Sequence, residues 1–340
     1  MFVIAKKIKY LVFLAIYVGK ITGQDLHFSQ FDGSLLNLSP AFTGFFNGDY
    51  RVGAIYRSQW QIVPVPYSTF SMAGEARLKP KNFVKDMVGV GITFNSDRAG
   101  DLRYGTSQLY ASGNYIFLGT PDSSLLISAG MNIGWCQVGF DYDQATFDNQ
   151  FDGLKYNKST SSNEKFDWTK YNYADVNFGF GAQYILNQKH KFNYGLGLHH
   201  ITNPVITYQG NTLSRLDFKL VNYLGYTKPI NENTDIIAQA LISKQGKYYE
   251  FIPHASLKYY LNKDLNQAIL GGLCLRTRDA IIFRMGYHYK TMQSGIAYDI
   301  TTSKFTAATN RRGAFEIFIN YIFKNKPGYI SKKRSCPVFM

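Results

Sequence analysis

The chain has 340 residues and a formal net charge of +14, with 26 tyrosines, 26 phenylalanines and only 18% charged residues. Beyond an apolar leader it has no other apolar run near the ~18 residues that a membrane-spanning helix requires, which excludes a bundle of membrane helices. The positive charge comes without a basic helix or an aromatic RNA-binding motif. It therefore fits anionic lipid headgroups or an acidic partner better than nucleic acid.

Residues 1–23 have the three parts of a secretory signal peptide. Three lysines form the positive start, YLVFLAIYV at 10–18 is the apolar core, and small residues precede a predicted cleavage before Gln24. The core is too short to span a bilayer, and the residue directly after the cleavage site is Gln24 rather than a cysteine, so we expect an exported protein without a lipid anchor. The cysteines are Cys136, Cys274 and Cys336. Their spacing fits no metal motif, and we expect buried or lipid-adjacent thiols.

The segment 24–49 follows the leader. It is too rich in Gly, Asn and Ser for a helix, and it ends where alternation typical of a strand begins. It is also too long for a loose overhang. We therefore predict that it packs in or beneath the lumen of the fold that follows, as a plug or brace.

Residues 50–323 show recurrent alternation with period two, the signature of β-strands. In 124–136, for instance, Leu, Ile, Met and Trp occupy one face and Ser, Gly and Asn the other. Strands of ten or more residues suit a tilted membrane crossing, and the aromatic content suits interfacial girdles. Small residues and isolated charges on the second face suit a hydrated lumen better than the water-facing side of a soluble sandwich, which is the alternative.

We therefore predict an all-β fold, a transmembrane antiparallel β-barrel of about fourteen strands. The predicted strands are 50–58, 67–77, 87–96, 104–117, 124–137, 171–186, 191–201, 214–228, 235–243, 249–261, 266–276, 280–290, 291–300 and 314–323.

Connection lengths predict the orientation. Those after even strands are short and turn-like, as at 119–124 and 229–233, whereas those after odd strands include the longest, 138–170 and 301–313. Bacterial barrels have short periplasmic turns and long outer loops, so we expect an outer-membrane protein with both termini in the periplasm. The basic segment 324–340 is then a periplasmic tail, either simply solvated or a docking element for a periplasmic partner.

The loop at 138–170 is too long for a bare connection. Its DYD and FDG pieces lack the spacing of a calcium-binding EF-hand, so we predict no metal site and expect the loop to fold over or into the pore.

Blocks along the mature chain resemble the PorP/SprF family of type IX secretion and gliding proteins of Bacteroidetes. Gln24–Gly44, with FSQF and PAFTG, resembles the family's N-terminal segment, although Leu26 stands where Pro is usual. RVGAIYRSQW at 51–60, PYST at 66–69, HITNP at 200–204 and YDITTSK at 298–304 resemble four further blocks. Phe315 departs from a usual His before Glu-Ile, and Val338 from a usual Arg in the CPRF tail.

The resemblance implies a non-enzymatic outer-membrane barrel. Its partners would be outer-membrane lipid, a secreted adhesin-type polypeptide client and periplasmic machinery, with no cofactor. The candidate binding positions are family-motif or inward-facing residues: Phe28, Gln30, Pro40, Arg57, Trp60, Arg284, Asp299 and Glu316. The charged ones either pair with one another inside the barrel or grip a bound polypeptide.

Two other functions stay open on the sequence. A porin or small-molecule transporter would show the same alternation around an open lumen. An outer-membrane hydrolase would need a nucleophile, a base and an orienting group, and none of the six histidines stands in a recognisable catalytic motif.

Overall fold

The computed structural model describes residues 25–61, 66–79, 86–100, 102–164, 166, 168–187, 189–207, 214–304 and 306–324. Within these residues the chain forms a closed antiparallel barrel of fourteen strands, each paired with its neighbours in sequence, and β1 pairs with β14 to close the ring. The predicted fold class is confirmed. The leader at 1–23 and, apart from Lys324, the tail at 324–340 lie outside the described residues.

The strands, in chain order, are β1 Tyr50–Gln59, β2 Tyr67–Leu78, β3 Met87–Ala99, β4 Tyr104–Leu118, β5 Leu125–Gly139, β6 Lys170–Leu186, β7 His190–His199, β8 Lys219–Asn231, β9 Thr234–Gln245, β10 Tyr248–Asn262, β11 Gln267–Arg276, β12 Ala280–Tyr289, β13 Met292–Thr301 and β14 Arg312–Phe323. Short 3-10 helices lie at Phe31–Gly33, Leu35–Asn37, Pro40–Phe42, Tyr142–Gln144 and Asp148–Gln150, and one α-helical turn at Thr306–Thr309. No helix in the described part of the chain is long and apolar enough to cross a membrane.

The main difference from the predicted strands is β8. It begins at Lys219 rather than at 214 and continues through Pro229, so the predicted turn at 229–233 shortens to two residues. Proline has no backbone N–H for a ladder bond. The pairing with β9 accordingly shifts register between Pro229 and Asn231.

The two ends of the barrel differ in their connections. We call the end where β1 begins and β14 finishes the short-turn end, and the opposite one the long-loop end. The connection between β5 and β6, residues 140–169, lies at the long-loop end, as do those at 200–218 and 302–311. The difference in length agrees with the pattern read from the sequence.

The outward face of the barrel is a continuous apolar surface. Ile92 is 60% exposed, Trp135 53% and Met285 67%. So much exposed apolar surface would be a liability in water, whereas in hydrocarbon it is favourable. The alternation read from the sequence in 124–136 placed Trp135 on this apolar face.

The lumen is occupied by residues 25–49 of the chain itself. The backbone N–H of Asp25 bonds Gln245, the last residue of β9, at 3.2 Å, and Asp49 bonds the carbonyl of Phe323 at 2.9 Å. The segment therefore runs the length of the barrel. Asp25 and Phe323 lie at opposite ends of the barrel. The two chain termini lie outside the described residues, and the side of the membrane on which each lies stays a prediction. The sequence predicted no helix in this segment, but its described residues contain three short 3-10 helices.

Part of the lumen wall is apolar, which corrects the expectation of a polar lumen. Inward-facing Val221, Tyr223, Leu241, Ile252 and Ile282 on β8 to β12 form one buried cluster with Phe31 and Phe42 of the N-terminal segment. These positions are apolar because they meet packed aromatic rings rather than water.

The β1–β14 seam gives a direct test of closure and register. Ala54 and Ile319 are paired across it, so their Cβ atoms should lie about 5 Å apart. We expect Ala54→Cys with Ile319→Cys to form a disulfide under mild oxidation, seen as a shifted band on a non-reducing gel.

The matched control is Val52→Cys with Ile317→Cys. Val52 is paired with Tyr321, so Ile317 lies four residues, about 14 Å, further along β14. Crosslinking of this control pair, or none in the first pair, would contradict the register.

Candidate functional site

The N-terminal segment is held by a buried charge cluster at the β1–β14 seam. Arg57 on β1 donates to Glu316 on β14 at 2.5 Å and to Asp299 on β13 at 3.2 Å. Arg57 and Asp299 are 1% exposed and Glu316 is fully buried. The family-motif arginine and two predicted inward carboxylates are thus brought together.

The backbone of the segment completes this cluster. Ser29 N–H donates to Glu316 Oε1 at 2.6 Å, and Gln30 N–H donates to Glu316 Oε2 at 2.8 Å. The Ser29 hydroxyl lies 2.9 Å from Asp299 and receives a hydrogen bond from Arg57 at 2.7 Å. Buried charges are tolerated only when their hydrogen bonds are satisfied, and here the segment supplies the missing partners.

Arg276 belongs to the same cluster and was missed by the sequence analysis. It donates to Asp299 at 3.1 Å and to the Ser29 hydroxyl at 2.6 Å, and it is 6% exposed. It is the last residue of β11, and the alternation of that strand, with Cys274 inward, could have placed it on the lumen face.

Arg284 makes a second attachment. Its guanidinium lies 2.7 Å from Asp32 of the segment and 3.0 Å from the His254 ring. Phe31, beside Asp32, packs edge-to-face on Tyr223 with ring centres 6.0 Å apart. Asp32 thus binds a charged site on the wall, and the neighbouring Phe31 packs in an apolar one.

The histidine of this second attachment bears on the hydrolase hypothesis. His254 contacts the Ser256 hydroxyl through Nε2 and Gln239 through Nδ1 at 2.6 Å. Ser256 is 7% exposed and His254 5%, beneath Phe31. A nucleophile must be reached by its substrate, and this pair is covered by the segment, so the arrangement fits a packing network better than a catalytic one.

The outermost described residue of the segment is also anchored by charge. Asp25 lies 3.0 Å from Lys219 and 3.5 Å from His200, whose other ring nitrogen lies 3.0 Å from Asp175. Burial alone would lower the pKa of His200, but its two carboxylate neighbours outweigh burial and raise that pKa to about 9. His200 of the HITNP block therefore carries a positive charge and links Asp25 of the segment to Asp175 of the wall.

At the short-turn end Glu75 on β2 makes the attachment. It accepts from Gly44 N–H at 2.8 Å and from Arg51 at 2.6 Å, while Arg51 lies over the Phe46 ring at 4.7 Å. The segment is thus anchored by ion pairs at Asp25 and Asp32, and near the short-turn end by the hydrogen bond from Gly44 N–H to Glu75.

Between these anchors the segment lies directly on the glycine- and amide-rich part of the wall. Asn114 donates to the carbonyls of Ala41 and Thr43 at 2.7 and 2.8 Å. A Cβ on Gly89 would collide with the Thr43 carbonyl, and one on Gly197 with the Leu38 carbonyl. The small inward residues that suggested a hydrated lumen are small because a backbone packs on them.

The remaining predicted positions divide into two groups. Phe28 and Pro40 are buried inside the lumen. The Gln30 amide is fully buried, and its nitrogen and oxygen have no hydrogen-bond partner within the described residues. Trp60 lies apart from these, beyond the end of β1, where its ring packs edge-to-face on Tyr67 at 5.0 Å.

Trp60 lines an open vestibule at the long-loop end, a cavity of about 550 Å³ above the N-terminal segment. Leu26 and His27 lie at its boundary with the segment, and Tyr67 and Tyr104 contribute aromatic surface. This is the part of the lumen that a large molecule outside the barrel could enter.

The loop at 140–169 does not fill the pore. It folds on its own aromatic cluster, with Phe140 and Phe166 ring centres 5.2 Å apart, and its Asp141 N–H bonds Leu102 of the β3–β4 turn at 2.7 Å. No group of three or more His, Cys, Asp or Glu that could hold a metal ion occurs in the described ranges.

A family model described as "Type IX secretion system membrane protein PorP/SprF" matches residues 21–321, and no curated protein matches. Among solved structures the chain resembles the Pseudomonas putida toluene transporter TodX, with 11% identity over 88% of this chain and 95% of that one, TM-score 0.48. It also resembles a Pseudomonas aeruginosa FadL homologue, with 10% identity, 84% and 93% coverage and TM-score 0.48. Neither likeness is close enough to indicate a function.

Removing the central arginine should loosen the segment. Arg57→Ala leaves two buried carboxylates short of donors, a change that costs about 3–5 kcal/mol when one member of a buried pair is lost. We expect the heat-induced shift from the compact to the unfolded gel band to occur at a clearly lower temperature, and the purified protein to conduct ions in planar bilayers.

The control is Arg312→Ala, which removes an exposed arginine at the start of β14. Equal stability and equal conductance of the two variants would show that the Arg57 cluster does not hold the lumen closed.

Proposed function

The chain belongs to the PorP/SprF family of type IX secretion system membrane proteins, and on that basis we propose that it helps to export, or to anchor at the cell surface, a cognate adhesin-type polypeptide. As a member of this family with a closed barrel and an apolar outer face, it is an outer-membrane protein. In this proposal the barrel performs no chemistry and needs no cofactor.

The observation that carries the proposal is that the lumen is already filled by residues 25–49. A diffusion channel needs an open path, whereas here the inward charges Arg57, Asp299 and Glu316 are committed to the chain's own Ser29 and Gln30. Their proposed role is therefore pairing with the segment, and not gripping a client deep in the pore. The porin alternative is correspondingly weakened.

A polypeptide client would be met at the vestibule and the long loops. Trp60, Tyr67 and Tyr104 offer rigid aromatic surface in a concave site, and such side chains give most of the binding energy in protein interfaces. Loops differ most between paralogues that share a barrel, so the client would be selected there. The basic tail beyond Lys324 would meet periplasmic machinery.

This function requires the long-loop end to face the outside. In intact cells, Leu154→Cys should react with a membrane-impermeant maleimide, since Leu154 is 93% exposed in the 140–169 loop. Glu232→Cys, in the short turn after β8, should react only after the outer membrane is permeabilised. The reverse pattern would place the long loops in the periplasm and contradict the proposed orientation.

The function itself is tested by a clean deletion followed by surface proteomics, and by pull-down of the tagged barrel. Loss of one large surface protein with general secretion intact is expected for a client-specific protein. Loss of all type IX cargo would instead indicate a core component. Unchanged surface proteins together with a nutrient-uptake defect would favour the porin.

Complementation can locate the contact. Tyr67→Ala in the vestibule should reduce client recovery in the pull-down. Tyr50→Ala, a comparably exposed tyrosine at the short-turn end, should not. Equal recovery with both variants would remove the vestibule from the proposal while leaving the secretion role standing.

A further inference from the structure

The outward face of β3 to β6 changes from apolar to polar between two rows of paired residues. The lower row is Phe94, Leu109 and Trp135. The next row, two residues nearer the long-loop end, is Ser96, Ser107, Gln137 and Asn172. The lower three side chains are 37%, 49% and 53% exposed, and Gln137 donates to Asn172 at 3.1 Å. The hydrocarbon boundary on this side of the barrel therefore lies between the two rows.

The third row, two residues nearer still to the long-loop end, has a cation at each side and two glycines between them. Arg98 pairs with Gly105, Gly105 with Gly139, and Gly139 with Lys170. Three strand spacings of about 4.8 Å separate the outer two by roughly 14 Å at the backbone. The two glycines between them have no side chain to cover the wall.

A cavity of about 610 Å³ lies over this row. Its lining includes all four residues of the row together with Arg103 of the β3–β4 turn, and residues 140–143 of the long loop. The loop thus encloses a polar space on the outside of the wall, directly above the hydrocarbon boundary, and separate from the vestibule inside the barrel.

The three cations of this cavity are exposed and make no ion pair within the described part of the chain. Two carboxylates, Asp141 and Asp143, also line it, and Asp141 accepts a hydrogen bond from Asp143 N–H in its own turn at 3.2 Å. The carboxylate of Asp97 is on the inward side, where Thr69 donates to it at 2.6 Å. Positive charge therefore exceeds negative charge in the cavity, and its cations are available to an incoming anion.

We propose that this cavity binds a phosphate group on the headgroup of an outer-leaflet glycolipid. Arginine and lysine are the side chains that hold phosphate in proteins, arginine through two parallel N–H bonds. A lipid held with its chains along Phe94, Leu109 and Trp135 brings its headgroup to the height of Arg98 and Lys170. The choice of leaflet rests on the orientation proposed above, but the binding measurement does not.

The test uses the full-length barrel purified in detergent and titrated with diphosphorylated lipid A, followed by native mass spectrometry. We expect one tightly held lipid. Each interfacial Lys or Arg contributes about a fivefold factor in affinity, so Arg98→Gln with Lys170→Gln should weaken binding about 25-fold. The control, Lys247→Gln with Arg278→Gln, removes two exposed cations from turns at the same end of the barrel but outside the cavity, and should bind like the wild type.

Three results would overturn the proposal. The first is equal binding of dephosphorylated lipid A to the unmodified protein, a comparison that needs no variant to fold. The second is equal weakening in the control pair, which would indicate diffuse rim charge. The third is displacement of the lipid by millimolar inorganic phosphate, or preference for phosphatidylethanolamine, which would assign the site to another source of phosphate.

Discussion

The pairing of Arg57 with Glu316 and Asp299, completed by the backbone of Ser29 and Gln30, is the interaction on which the closed lumen depends. A fourteen-stranded ring is too wide for its own side chains to fill. Something must occupy the space, and whatever does so must satisfy the polar groups of the wall. The N-terminal segment does both, because its Ser29 and Gln30 N–H groups donate to both carboxylate oxygens of Glu316, in addition to the donor from Arg57.

The segment meets two different walls, and each shapes it differently. On β8 to β12 an apolar cluster lies beside the Arg284–Asp32 ion pair, and Phe31 and Phe42 both pack on the ring of Tyr223. On β3 to β7 the backbone of the segment lies on inward glycines, and the Asn114 side chain donates to the carbonyls of Ala41 and Thr43. The asymmetry explains why the segment has aromatic residues on one side and Ser, Pro and Ala on the other. A closed lumen of this kind leaves the vestibule and the loops as the surfaces for a large partner.

The barrel was predictable from the sequence because period-two alternation and turn residues act locally. Arg57, Asp299 and Glu316 were placed inward by the same alternation. Their common partner was not foreseen, since it is set by a fold-back across 270 residues and more that no local pattern encodes. Inward glycines such as Gly197 carried the signal, but small residues fit water and packed backbone equally well. Arg276 was missed because it ends its strand, where facing is hardest to read. The 140–169 loop was expected over or into the pore, whereas its residues 140–143 line a cavity on the outer face of the wall.

The course of the N-terminal segment has a topological consequence. Asp25 lies near one mouth of the ring and Asp49 at the other, with an unbroken circle of strand ladders around them. A chain in that position is threaded: it cannot leave sideways without opening a ladder, and can leave only along the axis. The first and last strands of the chain, β1 and β14, pair with each other and carry the Arg57 and Glu316 that hold the segment. Either the ring closes around a segment already in place, or the free end enters a finished ring tip first. Both orders lead to the same threaded native state, in which the segment and the ring separate only along the barrel axis.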